Sequence, residues 1–452
     1  MQRYLIKNGT IVRNIEMFKG SVEIADGKII KVYREGESLP EIAEIDVSGK
    51  LVFPGFMDSH VHMNEPGKTE REDISHATAA AAVGGITTVM DMPNSNNPII
   101  SNAENLEMKK ECIKKSANVD VAAWGALVNY NFDKLEELNK AGVKVFKSFL
   151  CEPDAGYTVL TPEEIREAMN IIKSFGGVAG FHCENYPLLQ KYRKEVLESM
   201  PDSREAYLKS RPVKAEYESA MEVIAAARET GCTTYICHTS HPSILEEIDK
   251  ARKEGCTIYA ETCPHYLIFT NEMYLKYGGR FKCCPPIRDE EARRGLLQCL
   301  KEGKIQTIGS DHCPVPEELK DESKFGYISL FNGMAGIQSA VQASFDYLVT
   351  KNQVSPTIFA QIFSTNIAKV FGLYGKKGDI CEGFDADITI IDPKKEWKVK
   401  KEELLYVNKF SAYDDCEGIG CPVMTILRGE IIAKDGKLIM ENRGCFAPAD
   451  NS

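Results

Sequence analysis

From about residue 54 to about residue 375, short apolar runs alternate with longer stretches whose apolar residues recur at helical spacing. Alternation of this kind is the signature of consecutive βα units, and such units build parallel sheets. Eight runs qualify as strands. They end near His60-Val61-His62, at 87–91, at 121–124, near Lys147, near His182, near His238, near Glu261 and near Asp311. Helices fit between them at 77–83, 162–175, 216–230, 243–254 and 290–302. Eight such units predict an α/β fold, a (β/α)8 TIM-like barrel. The competing arrangement is an open doubly wound sheet, but no Gly-x-Gly-x-x-Gly turn follows the first strand.

The two ends of the chain have a different texture. Asn8-Gly9 and Asp26-Gly27 are tight-hairpin dipeptides set among β-branched residues. Residues 386–392 and 423–428 alternate like strands, and 429–440 reads as a hairpin around Asp435-Gly436. Two β-rich ends around a long middle predict a small β-sandwich domain built from 1–53 and 376–452, beside a catalytic barrel over 54–375. The chain has 452 residues, enough for a barrel and an accessory domain. Its formal net charge is -11, which argues against a nucleic-acid or anionic-membrane surface. No apolar run approaches the ~18 residues of a membrane span, and the N-terminal stretch is broken too early for a secretory signal. Fifteen cysteines without a signal suggest reduced thiols in the cytoplasm, and none forms a Cys-x-x-Cys pair.

In a barrel, the C-terminal strand ends converge on one mouth. His60 and His62, two residues apart, point to the same side of their strand. Lys147, His182, His238 and Asp311 stand at four further strand ends. Singly, each has a plain explanation: His182 and His238 as satisfied core histidines, Asp311 as a turn cap. Together, four of the chain's eight histidines and a carboxylate at one mouth suit a divalent transition metal, most often zinc. Lys147 lies in an apolar strand where an ammonium is costly to bury. Burial favours the neutral amine, which can take up carbon dioxide to form an anionic carbamate able to bridge two metal ions. The alternative is that Lys147 reaches the strand end and pairs with a carboxylate. A water shared by two metals is acidified enough to attack an amide, with Asp311 placed to move the proton. No Gly-x-Ser-x-Gly elbow points to a serine hydrolase instead.

These residues, in this order on successive strands, resemble the amidohydrolase superfamily, in the cyclic amidohydrolase branch of dihydroorotases, hydantoinases (dihydropyrimidinases) and allantoinases. The resemblance runs nearly end to end. It implies two Zn2+ ions, with His60 and His62 on the more buried one and His182 and His238 on the other. It also implies N6-carboxylysine at Lys147 as the bridge, and Asp311 as both ligand and general base. Gly125-Ala126-Leu127-Val128-Asn129-Tyr130-Asn131, Lys282-Cys283-Cys284-Pro285-Pro286 and Gly333-Met334-Ala335-Gly336 are most similar to allantoinases, which hydrolyse allantoin to allantoate. Dihydroorotases carry Arg where this chain has Asn64, and a neutral Asn there suits an uncharged ring. Asn94 after Met92-Pro93 is closer to dihydroorotases, and Phe331-Asn332-Gly333 resembles hydantoinases. Arg71-Glu72-Asp73 replaces the Trp-Glu-Gly of allantoinases, and Arg71 could stand in for the missing arginine. The resemblance implies substrate contacts from Asn64, Asn94 and the backbone near Cys284 and Asn332, and a homo-oligomer, by analogy a tetramer. Tyr157 is either a lid residue or a loop aromatic packed on the surface. A scaffold of the same fold without chemistry is the remaining alternative; it would be expected to have lost ligand residues that this chain keeps.

Overall fold

The computed structural model describes residues 3–152 and 156–450. Eight parallel strands form a barrel: Phe56–Val61, Ile86–Asp91, Asp120–Ala123 continued by Gly125–Ala126, Val145–Phe149, Val178–His182, Thr234–Ile236, Ile258–Thr262 and Thr307–Ile308. Each lies where an apolar run predicted it. The register carries the strand ends into one layer; Phe149, for example, pairs across from His182. The first and last strands close the ring through a His62 N–H bond to His312 O at 2.9 Å. Asp58 Oδ1 reinforces the closure by accepting from His60 N at 3.1 Å and from Ser310 N at 2.9 Å. The fold is therefore a closed barrel and not an open doubly wound sheet.

Side chains fill the barrel interior. Trp124 is fully buried, donates its indole N–H to Ser59 O at 3.0 Å and meets Tyr235 edge-on. Gly180 makes room for it, since a Cβ there would lie 2.3 Å from the indole ring. The outer helices obey local rules. In Pro162–Ser174, Thr161 and Glu164 form a capping box and Pro162 opens the first turn. That helix buries Ile165, Ala168, Met169 and Ile172, one stripe at 3.6-residue spacing. The predicted helices appear as Ile74–Val83, Pro162–Ser174, Val213–Thr230, Pro242–Lys253 and Glu290–Lys301, the first and third of them starting three residues earlier than expected.

Both ends of the chain join one nine-stranded sheet. Leu51–Pro54 stitches them together, antiparallel to Ile388–Lys398 and parallel to Arg3–Val12. Tyr4, Ile6, Ile24, Val52, Ile388 and Ile426 are among the residues that form its core, giving the small β-sandwich beside the barrel. Asp26-Gly27 and Asp435-Gly436 are hairpin turns as expected, with both residues of each at positive φ. Asn8-Gly9 is not a hairpin. It is a bulge inside Arg3–Val12, where the pairing to Met17–Ala25 shifts between Ile6 and Gly9. The true turn lies at 13–16, closed by Arg13 N to Glu16 O at 2.9 Å. Gly9 fits this close approach because a Cβ there would lie 2.5 Å from Val52. The strand expected over 423–428 runs as Glu417–Leu427, and that at 386–392 as Ile388–Lys398. Among the described residues, no helix is long and apolar enough to cross a membrane.

Candidate active site

The strand ends bring the predicted polar residues together. His60 and His62 both aim Nε2 at Asp311 Oδ1, each at 3.3 Å. The ring centres of His60 and His238 are 5.2 Å apart, and those of His182 and His238 are 4.5 Å apart. All five groups line one cavity of about 540 Å³, and all are buried or nearly so. Backbone strain helps to aim them. His238 and Asp311 have φ of 33° and 48°, in the left-handed region that non-glycine residues avoid. Such strain persists only where the surroundings over-determine it, and it concentrates at functional sites.

The electrostatics favour neutral imidazoles at His60, His182 and His238 beside an ionised Asp311. Burial lowers the basicity of His60 and His182, although Glu261 and Glu184 oppose it. His238 is pushed well below the ordinary histidine range by burial and by the neighbouring charges of His182 and Lys147. Burial alone would raise Asp311, but His60 and His62 outweigh it and hold the carboxyl far below its usual range. Neutral imidazole and ionised carboxylate are the ligand forms a divalent ion needs.

Lys147 sits beneath this group. Its side chain is fully buried, and among the described residues its Nζ finds no nitrogen or oxygen partner, with only the Cys237 thiol close by. It lies 4.8 Å from the centre of the Phe149 ring. The carboxylate pairing weighed as an alternative is absent among the described residues. A buried amine without a partner is expensive, and His238 Nδ1 is likewise buried without one. Two orphaned nitrogens beside a convergent His–His–Asp trio fit a site built to hold cations. The ligand atoms of His60, His62 and Asp311 lie within 4.8 Å of one another.

Several functional residues escaped the sequence reading. Glu261, at the end of the seventh strand, accepts from His60 Nδ1 at 2.8 Å and from His238 N at 3.0 Å. Its other oxygen accepts from Ser59 Oγ at 2.5 Å and Tyr235 OH at 2.7 Å. It thus fixes the ring of His60 so that Nε2 faces the cavity. Glu184 does the same for His182, bonding Nε2 at 2.8 Å, and is itself held by Arg211 at 2.6 Å. Burial opposes ionisation of Glu184, but Arg211 and His182 prevail and bring it down to about 2. The signal was present for Glu261, a carboxylate ending an apolar run like Asp311. None existed for Arg211, which reaches in from a surface helix end.

The four expected substrate contacts, Asn64, Asn94, Cys284 and Asn332, all line the cavity. Asn64 has φ 42° and folds its amide back to His62 O at 3.1 Å. Tyr207 OH lies 2.6 Å from Cys283 O and 2.8 Å from Asn332 Oδ1, tying the two loops together. Arg71 lines the same cavity. Tyr157 is neither a surface aromatic nor a lining residue; it is buried and packs edge-on against Phe149.

Comparison with known proteins agrees with this geometry. The amidohydrolase family model matches residues 51–432. An allantoinase of Salmonella choleraesuis (strain SC-B67) is 34% identical over 435 residues, covering 95% of this chain and 94% of its own. Among solved structures, an L-hydantoinase (dihydropyrimidinase) from Arthrobacter aurescens superimposes with a TM-score of 0.96 at 29% identity, over 99% of this chain and 100% of its own. A dihydropyrimidinase from Brevibacillus agri gives 0.92 at 25% identity, over 99% of both. A divalent metal centre is general to this family, and the donor set described above suits one. The chain belongs to the amidohydrolase family, in its cyclic amidohydrolase branch, and is a hydrolase.

Proposed function

We propose that this chain is an allantoinase, opening the hydantoin ring of allantoin to give allantoate. The observation that carries the reading is the buried Lys147 amine, which has no carboxylate partner among the described residues, behind four imidazoles and Asp311 that line one cavity. Carbamylation would turn that amine into an anionic bridge, and two zinc ions would be held by His60, His62, Lys147, His182, His238 and Asp311. When bound, such a pair polarises the ring carbonyl and acidifies a water. Asp311, kept ionised by the His60–His62 pair, takes the proton of the attacking water. It then delivers the proton to the departing ring nitrogen. The ring C–N bond breaks, the carbonyl carbon becomes a carboxylate, and the nitrogen leaves as a ureido NH2. Glu261 and Glu184 keep the His60 and His182 rings oriented throughout. The backbone near Cys284 and Asn332 is positioned to hold the ring, with Asn64 and Asn94 as side-chain contacts. The catalytic domain would span 54–375, with 1–53 and 376–452 forming the β-sandwich domain.

Near full-length similarity to an allantoinase supports allantoin, and Asn64 itself offers no charge to a carboxylate borne directly on the ring. The TM-score of 0.96 to an L-hydantoinase favours a second reading, a hydantoinase of 5-substituted rings. A turnover panel of allantoin, hydantoin, dihydrouracil and dihydroorotate separates these. Allantoin should give the highest kcat/KM; dihydroorotate turning over fastest would defeat the Asn64 argument. Chelation should abolish activity, with zinc plus bicarbonate restoring it. Lys147→Ala should be inactive until a short-chain carboxylate is added, and full activity without one would refute the bridge. Asp311→Asn should lower kcat by roughly 10² or more.

A further inference from the structure

The rim of the cavity carries more positive charge than the reaction needs. Lys68, Arg71, Arg193 and Arg211 line it, against the carboxylates of Glu152 and Asp311. Two of the cations are committed: Arg211 to Glu184 at 2.6 Å, and Arg193 to Ser329 Oγ at 3.1 Å and Glu152 at 3.9 Å. Asp311 is taken by His60 and His62. Among the described residues, Lys68 and Arg71 have no carboxylate partner, although the chain as a whole carries a net charge of -11. In an acidic protein, two half-buried cations left unpaired at the mouth of a cavity call for an anionic occupant.

Arg71 is also held ready. Its neighbour Glu72 is fully buried, pairs with His312 Nε2 at 3.1 Å and accepts from Val407 N at 3.2 Å. Asn408 Nδ2 bonds Arg71 O at 2.6 Å, so the backbone on either side of the side chain is pinned. The guanidinium lies over the Phe331 ring, 4.7 Å from its centre. A guanidinium stacked on a ring keeps its in-plane N–H fork for another ligand. Phe331 directly precedes Asn332, which Tyr207 fixes at the cavity wall. A ring held beside Asn332 would therefore project a substituent toward Arg71.

We infer that this rim is a subsite for an acidic arm. The substrate class it reads is hydantoin-type rings whose 5-substituent ends in a carboxylate, gripped by the Arg71 fork with Lys68 as the second cation. The inference rests on the reading of the site as a ring-opening hydrolase. The neutral ureido arm of allantoin can meet the same guanidinium through its carbonyl oxygen, but an ionised acid meets it with full charge. A charge-assisted, bidentate contact is about twice as strong as a neutral one.

The test compares hydantoin-5-acetate with its neutral amide, hydantoin-5-acetamide, on the metal-loaded enzyme. Binding is read by calorimetry, and ring opening is read separately. The wild type should bind the acid about fivefold or more tighter than the amide. That ratio should shrink as ionic strength rises, fall toward one in Arg71→Gln, and be partly kept in Arg71→Lys, which retains the charge without the fork. Lys68→Gln should lower it less. Arg294→Gln, an exposed arginine paired with Glu290, should leave the ratio unchanged. Equal binding of acid and amide in the wild type overturns the inference, as does a preference that survives in both Arg71→Gln and Lys68→Gln. Failure to open any ring while the binding preference holds would count against the hydrolase reading alone.

Discussion

Glu261 sets the standard at the scale of single residues. Its two oxygens accept four hydrogen bonds, two of them from the first strand, one from Tyr235 and one from the backbone of His238. Burial opposes ionisation of this carboxylate; the contact with His60 and the hydroxyls of Ser59 and Tyr235 outweigh it and lower its pKa. Glu261→Gln keeps the shape but turns one acceptor into a donor facing the ring. It should weaken divalent-ion affinity by about 10- to 100-fold, measured by titration of the metal-free enzyme. Gly309 supports the same group from below. A Cβ there would lie 2.7 Å from Glu261 Oε2, from the His60 Cβ and from Ser59 Oγ. Gly309→Ala should therefore yield folded protein with reduced metal content, read by elemental analysis. The candidate ligand residues could be read from the sequence because each ends an apolar run. The left-handed φ of His238 and Asp311 could not, since nothing local favours it.

Among the structural elements, the loop at 328–333 forms one wall of the cavity and is strapped by two buried lysines. Lys320 Nζ donates to Lys282 O at 3.1 Å, Phe331 O at 3.0 Å and Gly333 O at 2.6 Å. Lys282 Nζ donates to Ile328 O at 3.1 Å and to Leu330 O. Neither has a carboxylate partner among the described residues, so their N–H donors serve the backbone. Burial brings Lys320 down to about 8; burial, with Lys320 and Arg211 nearby, brings Lys282 to about 6. As pH rises past about 8, Lys320 loses its charge and one of its three donors. KM for ring substrates should then increase in the wild type. Lys320→Met should have a raised KM at neutral pH and no further rise above pH 8, with kcat changed less. The strap shows where reading from sequence stops. Lys282 and Lys320 are 38 residues apart, and their shared role exists only once the barrel brings their loops together. Asn8-Gly9 teaches a related lesson. Asn8 supplies positive φ that suits either a turn or a bulge, and the pairing with the neighbouring strand makes it a bulge.

The molecule as a whole is joined by a buried charge cluster between barrel and β-sandwich. Lys377 pairs with Asp120 of the third barrel strand at 2.7 Å and with Asp387 beside the terminal sheet, and Arg428 also pairs with Asp120. Burial opposes ionisation of Asp120, but Lys377 and Arg428 prevail and lower it. A carboxyl lowered in the folded state contributes stability above its unfolded pKa of about 4, lost as pH falls through the folded value. Lys377→Met leaves two buried carboxylates short of a cation. It should cost about 3–5 kcal/mol at pH 7, measured by denaturant unfolding. The gap to wild type should narrow as pH falls below about 4, because the variant has less of this stabilisation to lose.

The sequence by itself determined the architecture and which polar residues end its barrel strands. Strand and helix periods, and polar residues ending apolar runs, are local patterns whose meaning does not depend on distant chain. Eight strands, the two-ended sheet and the six residues of the candidate centre were legible for that reason. Tertiary structure alone decided which carboxylates orient the histidines, that Lys147 has no carboxylate partner among the described residues, and that Arg71 lies on Phe331 with its charge unspent. Those properties belong to pairs of residues far apart in the chain. Desolvation and charge pairing are set by what surrounds a group in space, and the sequence order does not state that.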